Sequence, residues 1–218
     1  MDGAITQPAM TETEAIQQLK RGQIAALDWL VERYQMRALR VAFLITRDRD
    51  KAEDIVQDAF IRVYERIAQF DDTRAFGPWF FQIVSNMALT AARRDDRCTR
   101  WTPESDEDWL VLQDPGPQFD ALLEAAETRA AIWQVVGELP PEQRAAVVLR
   151  YYLEVGEAGI ADQLGCPAGT VKSRLYTARQ RLRRLLPGWL KPLPENPTVL
   201  LGSYVSPPSN RQGALSDE

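Results

Sequence analysis

The chain has 218 residues, of which 45% are hydrophobic and 26% are charged. This composition excludes a wholly disordered chain, because it provides enough apolar surface for one or two buried cores. The sequence contains no histidine, which excludes Ser-His-Asp and Cys-His catalytic sites and histidine metal ligands. Its two cysteines, Cys98 and Cys166, lack the spacing of a zinc site or a disulfide framework. We therefore expect a protein that is not an enzyme and that binds no metal and no cofactor.

The formal net charge of −5 argues at first sight against nucleic-acid binding, but the charge is unevenly distributed. It is +1 over residues 22–100, −8 over 101–128 and +4 over 129–188. Residues 101–120 contain three prolines and no hydrophobic periodicity, which is typical of a linker. No apolar run is long enough for a signal sequence or a membrane span, so we expect a cytoplasmic protein without membrane insertion.

These features predict five segments. They are an N-terminal extension (1–21), a first domain (22–100), an acidic flexible linker (101–124), a second domain (125–187) and a Pro-rich, disordered tail (188–218).

In the first domain, residues 24–46 predict one or two helices. Asp50, with Glu53 three residues later, predicts a capping box at the start of the next helix. The apolar residues of that helix repeat at a spacing of three and four; they are Ala52, Ile55, Val56, Ala59, Phe60, Val63, Tyr64 and Ile67. A further helix begins near Pro78, which is suited to a first turn, and continues to Arg94.

In the second domain, a helix over 128–138 ends at Leu139–Pro140, and another begins at Pro141 and continues to about Leu153. Two elements separated by Gly165–Cys166–Pro167 follow. No alternating pattern of a strand is found, so the predicted class is all-α, with two small helical domains joined by an acidic linker, the second ending in a helix-turn-helix.

The last predicted helix, over residues 168–186, separates an apolar stripe from a basic face. The stripe consists of Val171, Leu175, Ala178, Leu182 and Leu185, which we expect to face the core. Six basic residues and no acidic one lie between Ala168 and Arg184. In a helix-turn-helix, the N-terminal part of the second helix enters the major groove of DNA, and basic residues farther along that helix hold phosphates.

The segment GCPAGTVKSRLYTARQRLRRLL resembles the C-terminal promoter-binding domain of bacterial extracytoplasmic-function (ECF) sigma factors, within the superfamily of the housekeeping sigma factors. This resemblance implies that the last helix contacts the −35 promoter element. Its candidate DNA contacts are Thr170, Lys172, Ser173, Tyr176, Thr177, Arg179, Arg183 and Arg184. The sequence departs from the family pattern at 156–159, where Gly-Glu-Ala-Gly replaces the usual Ser or Thr, aromatic residue and Glu-Glu.

The first domain carries two further resemblances to sigma factors. AEDIVQDAFIRVY resembles the segment that binds the β′ subunit of RNA polymerase, with Asp54, Gln57, Asp58 and Ile61 on one outward stripe. FGPWFFQIVSNMALTAARR resembles the segment that captures the non-template strand of the −10 element. Its candidate contacts are Phe76, Trp79, Asn86, Arg93 and Arg94, with Phe80 and at least one of Trp79 and Phe81 in the core.

The resemblance implies an alternative sigma factor that binds core RNA polymerase, through its β′ and β subunits, and promoter DNA, with an anti-sigma factor as a further partner. One alternative is a helix-turn-helix regulator that acts without core polymerase. Another is a carboxylate-dependent nucleic-acid hydrolase using Glu53, Asp54 and Asp58, which form no recognised metal motif.

Overall fold

The computed structural model describes residues 10–95 and 132–186. The predicted linker 101–124, the tail 188–218, the first residues of the predicted second domain and Cys98 lie outside the described residues. The described part forms eight helices and no strand, which confirms the all-α class. The helices are α1 (Glu12–Lys20), α2 (Ala26–Thr46), α3 (Arg49–Arg66), α4 (Phe76–Asp95), α5 (132–137 as described), α6 (Pro141–Val147), α7 (Glu157–Leu164) and α8 (Ala168–Leu185).

Helix α1 lies within the segment for which the sequence predicted only an extension. Thr11 and Glu14 form a reciprocal capping box at its start, which satisfies two otherwise unpaired amides of the first turn. Its buried residues Ala15, Ile16 and Leu19 belong to the core. The α1 helix therefore packs as a part of the first domain, against α2.

The start of α3 differs from the prediction. The N-cap is Asp48, whose carboxylate accepts the amide N–H of Lys51 at 3.0 Å, so the predicted capping box of Asp50 and Glu53 is wrong. Glu53 instead accepts a hydrogen bond from the Arg49 Nε at 3.0 Å. The reason is that α2 ends at Arg47 in the left-handed conformation, with φ 62°, which leaves Asp48 extended at the cap position.

The first domain packs α3 and α4 against α2. The predicted apolar stripe of α3 is buried except for Tyr64, which is 43% exposed. The prediction that Phe80 and at least one of Trp79 and Phe81 lie in the core is confirmed, because the rings of Phe80 and Phe81 are buried and contact the ring of Tyr34. Helix α4 begins at Phe76, two residues before the predicted start at Pro78.

The second domain contains the predicted helix-turn-helix. Helix α6 begins at Pro141 and continues into a π-helical turn, Val148–Tyr152. Helices α7 and α8 are separated by Gly165–Cys166–Pro167, and Gly165 adopts φ +59°, which glycine accommodates without a Cβ clash. The stripe of α8 is buried as predicted at Val171, Leu175 and Ala178.

The end of this stripe requires a correction at Leu185. Leu182 is partly buried, but Leu185 is 48% exposed, and Leu186 is buried in its place. Leu186 lies four residues after Leu182, so it continues the buried row. The prediction for Leu185 is therefore wrong by one position.

Candidate nucleic-acid and protein interfaces

The outward face of α8 is the first candidate interface. Packing of its apolar stripe against α6 and α7 leaves the opposite face in solvent. Lys172, Ser173 and Tyr176 are exposed, and Tyr176 keeps 61% of its surface accessible. Thr170 and Thr177 are half-buried at the edges of the same face. The structure thus places hydroxyl, ammonium and aromatic groups together on the N-terminal half of the helix, where base edges are contacted in a helix-turn-helix.

The electrostatics of α8 favour an anionic partner. Arg179, Arg183 and Arg184 are exposed, and within the described residues none has a carboxylate at ion-pair distance. Within the described residues, the one carboxylate near Lys172 is that of Glu157, whose Oε2 lies 3.9 Å from the Lys172 Nζ; the two side chains are 69% (Lys172) and 41% (Glu157) exposed. Such an exposed pair contributes little and is easily exchanged for a phosphate.

The outward face of α3 is the second candidate interface. Asp54, Gln57, Asp58 and Ile61 are all exposed along one side of the helix. Ile61 keeps 55% of its surface accessible, and Tyr64, three residues later, extends the apolar part of this face. An exposed isoleucine and tyrosine bordered by carboxylates fit a protein partner that combines apolar and basic groups.

The third candidate interface lies along α4. Asn86, Arg93 and Arg94 are exposed, and the half-buried Trp79 lies toward the start of the same helix. Phe76 is different, because its side chain is fully buried and its ring contacts Tyr34, Phe70, Trp79 and Phe80. The structure does not support Phe76 as a direct DNA contact, because a base cannot reach a ring enclosed on these sides. The spacing of the aromatic residues in the sequence could not distinguish the buried Phe76 from the partly accessible Trp79.

The loop before α4, residues 70–75, is held by α1. The ammonium of Lys20 donates to the Phe70 carbonyl oxygen at 2.6 Å and pairs with the Asp72 carboxylate at 2.7 Å. Within the loop, the hydroxyl and amide of Thr73 donate to Asp71, and these bonds lower the pKa of the Asp71 carboxyl. Lys20 of α1 therefore fixes the start of this loop, a contact that the sequence pattern did not indicate.

Comparisons with known proteins agree with this arrangement. The sigma-70 region 2 family model matches residues 30–98, and the model for sigma-70, region 4, matches residues 129–182. RNA polymerase sigma-H factor of Pseudomonas aeruginosa is 30% identical over 181 residues, which cover 80% of this chain and 93% of that protein. ECF RNA polymerase sigma factor SigW of Bacillus subtilis is 30% identical over 177 residues, with 78% and 94% covered. The chain belongs to the ECF family of RNA polymerase sigma factors.

Two solved structures share the fold of this ECF sigma factor. The structure of CnrH in complex with the cytosolic domain of CnrY gives a TM-score of 0.54 at 22% identity, with 80% of this chain and 96% of that chain covered. The sigma factor RpoE from Bartonella quintana, solved with the anti-sigma factor NepR, gives a TM-score of 0.52 at 25% identity, with 72% and 96% covered.

Two absences concern only the residues described for this ECF sigma factor. None of the helices at 10–95 and 132–186 is both long and apolar enough to cross a membrane. Within the same ranges, no group of three or more Cys, Asp or Glu side chains is arranged to hold a metal ion.

Proposed function

We propose that this ECF sigma factor joins core RNA polymerase, through its β′ and β subunits, and directs it to promoters by holding the −35 duplex and the melted −10 strand. It acts by binding alone, in the cytoplasm, without a cofactor or a catalytic step. The observation that carries the proposal is the exposed basic face of α8, which follows a tight turn inside the region matched by the sigma-70 region 4 model.

In the −35 complex, the N-terminal half of α8 lies in the major groove. Lys172, Ser173 and Tyr176 face the base edges, with Thr170 and Thr177 at the margins. Arg179, Arg183 and Arg184 hold phosphates, because they lie farther along the helix and are exposed. Glu157 releases Lys172 when DNA binds, since their contact of 3.9 Å is weak.

In the −10 complex, the exposed side of α4 holds the single strand. Arg93 and Arg94 neutralise phosphates, Asn86 offers an amide to a base, and the accessible part of Trp79 provides a stacking surface. Phe76 supports Trp79 from the core, since the two ring centroids are 5.7 Å apart. The Lys20 contacts keep the preceding loop in place for an extruded base.

Polymerase binding uses α3 of the first domain. Asp54, Gln57 and Asp58 offer acceptors to basic groups of the β′ subunit, and Ile61 with Tyr64 supplies the apolar contact. We assign this role to a first domain over 22–100, supported by α1, and the −35 role to a second domain over 125–187. An anti-sigma factor is a further proposed partner, because the related RpoE was solved with one.

The test is run-off transcription with core polymerase on a promoter library, together with a pull-down of core polymerase. We expect Lys172→Ala to lose discrimination at the −35 element while −10 preference and core binding persist. We expect Asp54→Ala to weaken core binding, whereas Asp28→Ala, which removes an exposed carboxylate from α2, leaves it unchanged. Normal behaviour of both test variants would contradict the residue assignments. Tight binding of promoter duplex without any binding of core polymerase would favour a helix-turn-helix regulator.

A further inference from the structure

The basic face of α8 has a single carboxylate neighbour within the described residues. Between Ala168 and Arg184 the helix carries six basic residues and no acidic one. Of the ion pairs in the described part of the chain, the one that involves α8 joins the Lys172 Nζ to the Glu157 Oε2 at 3.9 Å. Because Lys172 is proposed to face base edges, this carboxylate lies directly beside the −35 surface.

Glu157 is the first residue of α7, and the fold fixes its position relative to α8. In the same turn, the Ile160 amide donates to the Gly156 carbonyl oxygen at 2.9 Å, and the Ile160 side chain is fully buried. Helices α7 and α8 pack against each other on either side of the tight turn at Gly165. Gly156 provides no side-chain cap, so the Glu157 carboxylate is the acidic group at the positive end of the α7 dipole. Its negative charge therefore stays beside α8 whether or not Lys172 contacts it.

The Lys172 ammonium can bind DNA in two ways. It can pair with a backbone phosphate, which every sequence offers, or it can donate to the O6 and N7 acceptors of guanine in the major groove. The first contact adds affinity without selectivity, whereas the second discriminates between base pairs. Since the Lys172 side chain is 69% exposed, both contacts are sterically open to it.

The Glu157 carboxylate affects these two contacts differently. A phosphate oxygen that accepts a hydrogen bond from an ammonium lies about 2.8 Å from the nitrogen. The Glu157 Oε2 is 3.9 Å from the same nitrogen, so it lies within about 7 Å of that phosphate oxygen. This distance is shorter than the Debye length of about 10 Å at 0.1 M salt, so the repulsion between the two anions is only partly screened. A guanine edge carries no net charge and is not repelled in this way.

We propose that Glu157 is a specificity-determining residue for −35 binding: its carboxylate disfavours the contact of Lys172 with phosphates and leaves the contact of Lys172 with a base edge almost unaffected. This effect rests on the proposed function, because it requires α8 in the major groove. It adds to that function a residue on α7 that acts through Lys172 rather than by contacting DNA itself. Removal of the carboxylate strengthens binding to DNA of any sequence and lowers the preference for the correct site.

The test measures binding of the full-length chain to two fluorescein-labelled duplexes of about 20 base pairs, by fluorescence anisotropy at about 0.1 M salt. One duplex is an alternating A·T sequence, which lacks guanine, and the other is the duplex that the wild-type chain enriches from a randomised library. We expect Glu157→Gln to bind the A·T duplex about threefold more tightly, which is the scale of an exposed charge pair, and the enriched duplex less than about 1.5-fold more tightly. The preference for the enriched duplex should thus fall by at least about twofold.

Glu154→Gln is the matched control for this measurement. It removes the same charge from an exposed position three residues earlier, and Glu154 forms no ion pair with the residues that the structure describes. We expect this control to keep the wild-type ratio of the two affinities. Glu157→Asp retains the charge at the start of α7, so it should keep more of the wild-type preference than Glu157→Gln does. Circular dichroism verifies that all three variants are folded.

A double-mutant cycle shows whether Glu157 acts through Lys172. In a Lys172→Ala background the phosphate contact of this side chain is absent, so Glu157→Gln should change the affinity for the A·T duplex by less than about 1.5-fold. An equal gain in both backgrounds, or a gain no larger than that of Glu154→Gln, would overturn the role of Glu157. Failure of the chain to bind core polymerase in the pull-down would refute the proposed function without changing these duplex affinities.

Discussion

Replacement of Arg144 by leucine should destabilise the second domain strongly. The guanidinium donates to the Ile45 carbonyl at 2.8 Å, to the Gly137 carbonyl at 2.8 Å and to the Leu139 carbonyl at 3.4 Å. Each short bond from a charged donor contributes about 1.5–3 kcal/mol, and its loss leaves a buried acceptor without a partner. Leucine recovers part of the apolar burial, so we expect a net loss of about 3 kcal/mol.

Urea unfolding monitored by circular dichroism measures this loss. With a slope of about 2 kcal/mol per molar urea, the midpoint of the transition should fall by about 1.5 M. Arg144→Lys keeps the charge but not the forked geometry, so about half of that shift is expected. The control is Arg150→Leu, since Arg150 is exposed and, among the residues that the structure describes, makes one hydrogen bond, of 3.3 Å; its midpoint should stay close to wild type. A midpoint for Arg144→Leu within about 0.3 M of wild type would show that these three bonds do not support the fold.

Two further predictions concern DNA affinity and the α3–α4 contact. Arg183→Gln should weaken binding of promoter duplexes about equally for all sequences and should reduce the slope of log affinity against log salt by about one, as measured by anisotropy at several salt concentrations; an unchanged slope would exclude a phosphate contact. The ammonium of Lys51 on α3 forms ion pairs with the carboxylates of Asp48 at 2.6 Å and of Asp95, at the end of α4, at 2.7 Å. Hydrogen bonds to these two carboxylates raise the pKa of Lys51 above its usual value of 10.5. The Lys51 side chain is nevertheless 42% exposed. Lys51→Met should therefore cost only about 1 kcal/mol in the free energy of unfolding. This difference from wild type should be fully present below pH 10.5 and should disappear as the pH rises through the raised pKa of Lys51, whereas a difference that grows with pH would contradict the assignment.

Most of the helices could be predicted from local spacing. Apolar residues at intervals of three and four predicted α3, α4 and α8 to within a few residues, because a helix face buried on one side repeats every 3.6 residues. The predicted helix boundaries were less accurate where two neighbouring residues could each serve as the N-cap. Asp48 and Asp50 both have a suitable side chain, and the choice of Asp48 depends on the left-handed end of α2.

The candidate interfaces followed partly from the sequence. The exposure of Lys172, Ser173 and Tyr176 was predictable, because the position of the buried stripe on α8 determines which residues lie on the opposite, exposed face of the helix. The different environments of Phe76 and Trp79 were not predictable, because aromatic residues at neighbouring positions carry the same hydrophobic signal. Only packing against Tyr34 and Phe70 shows that Phe76 is enclosed.

The sequence by itself determined the helical class, the helix-turn-helix and the sigma-factor family, since each depends on residues close together in the chain. Only the tertiary structure decided that α1 fixes the loop before α4 and that the two domains meet. Lys20 and Phe70 are 50 positions apart, and Arg144 and Ile45 are 99 apart. Local periodicity contains no information about such pairs, because they form only when whole helices pack and an unpaired helix-end carbonyl finds a donor.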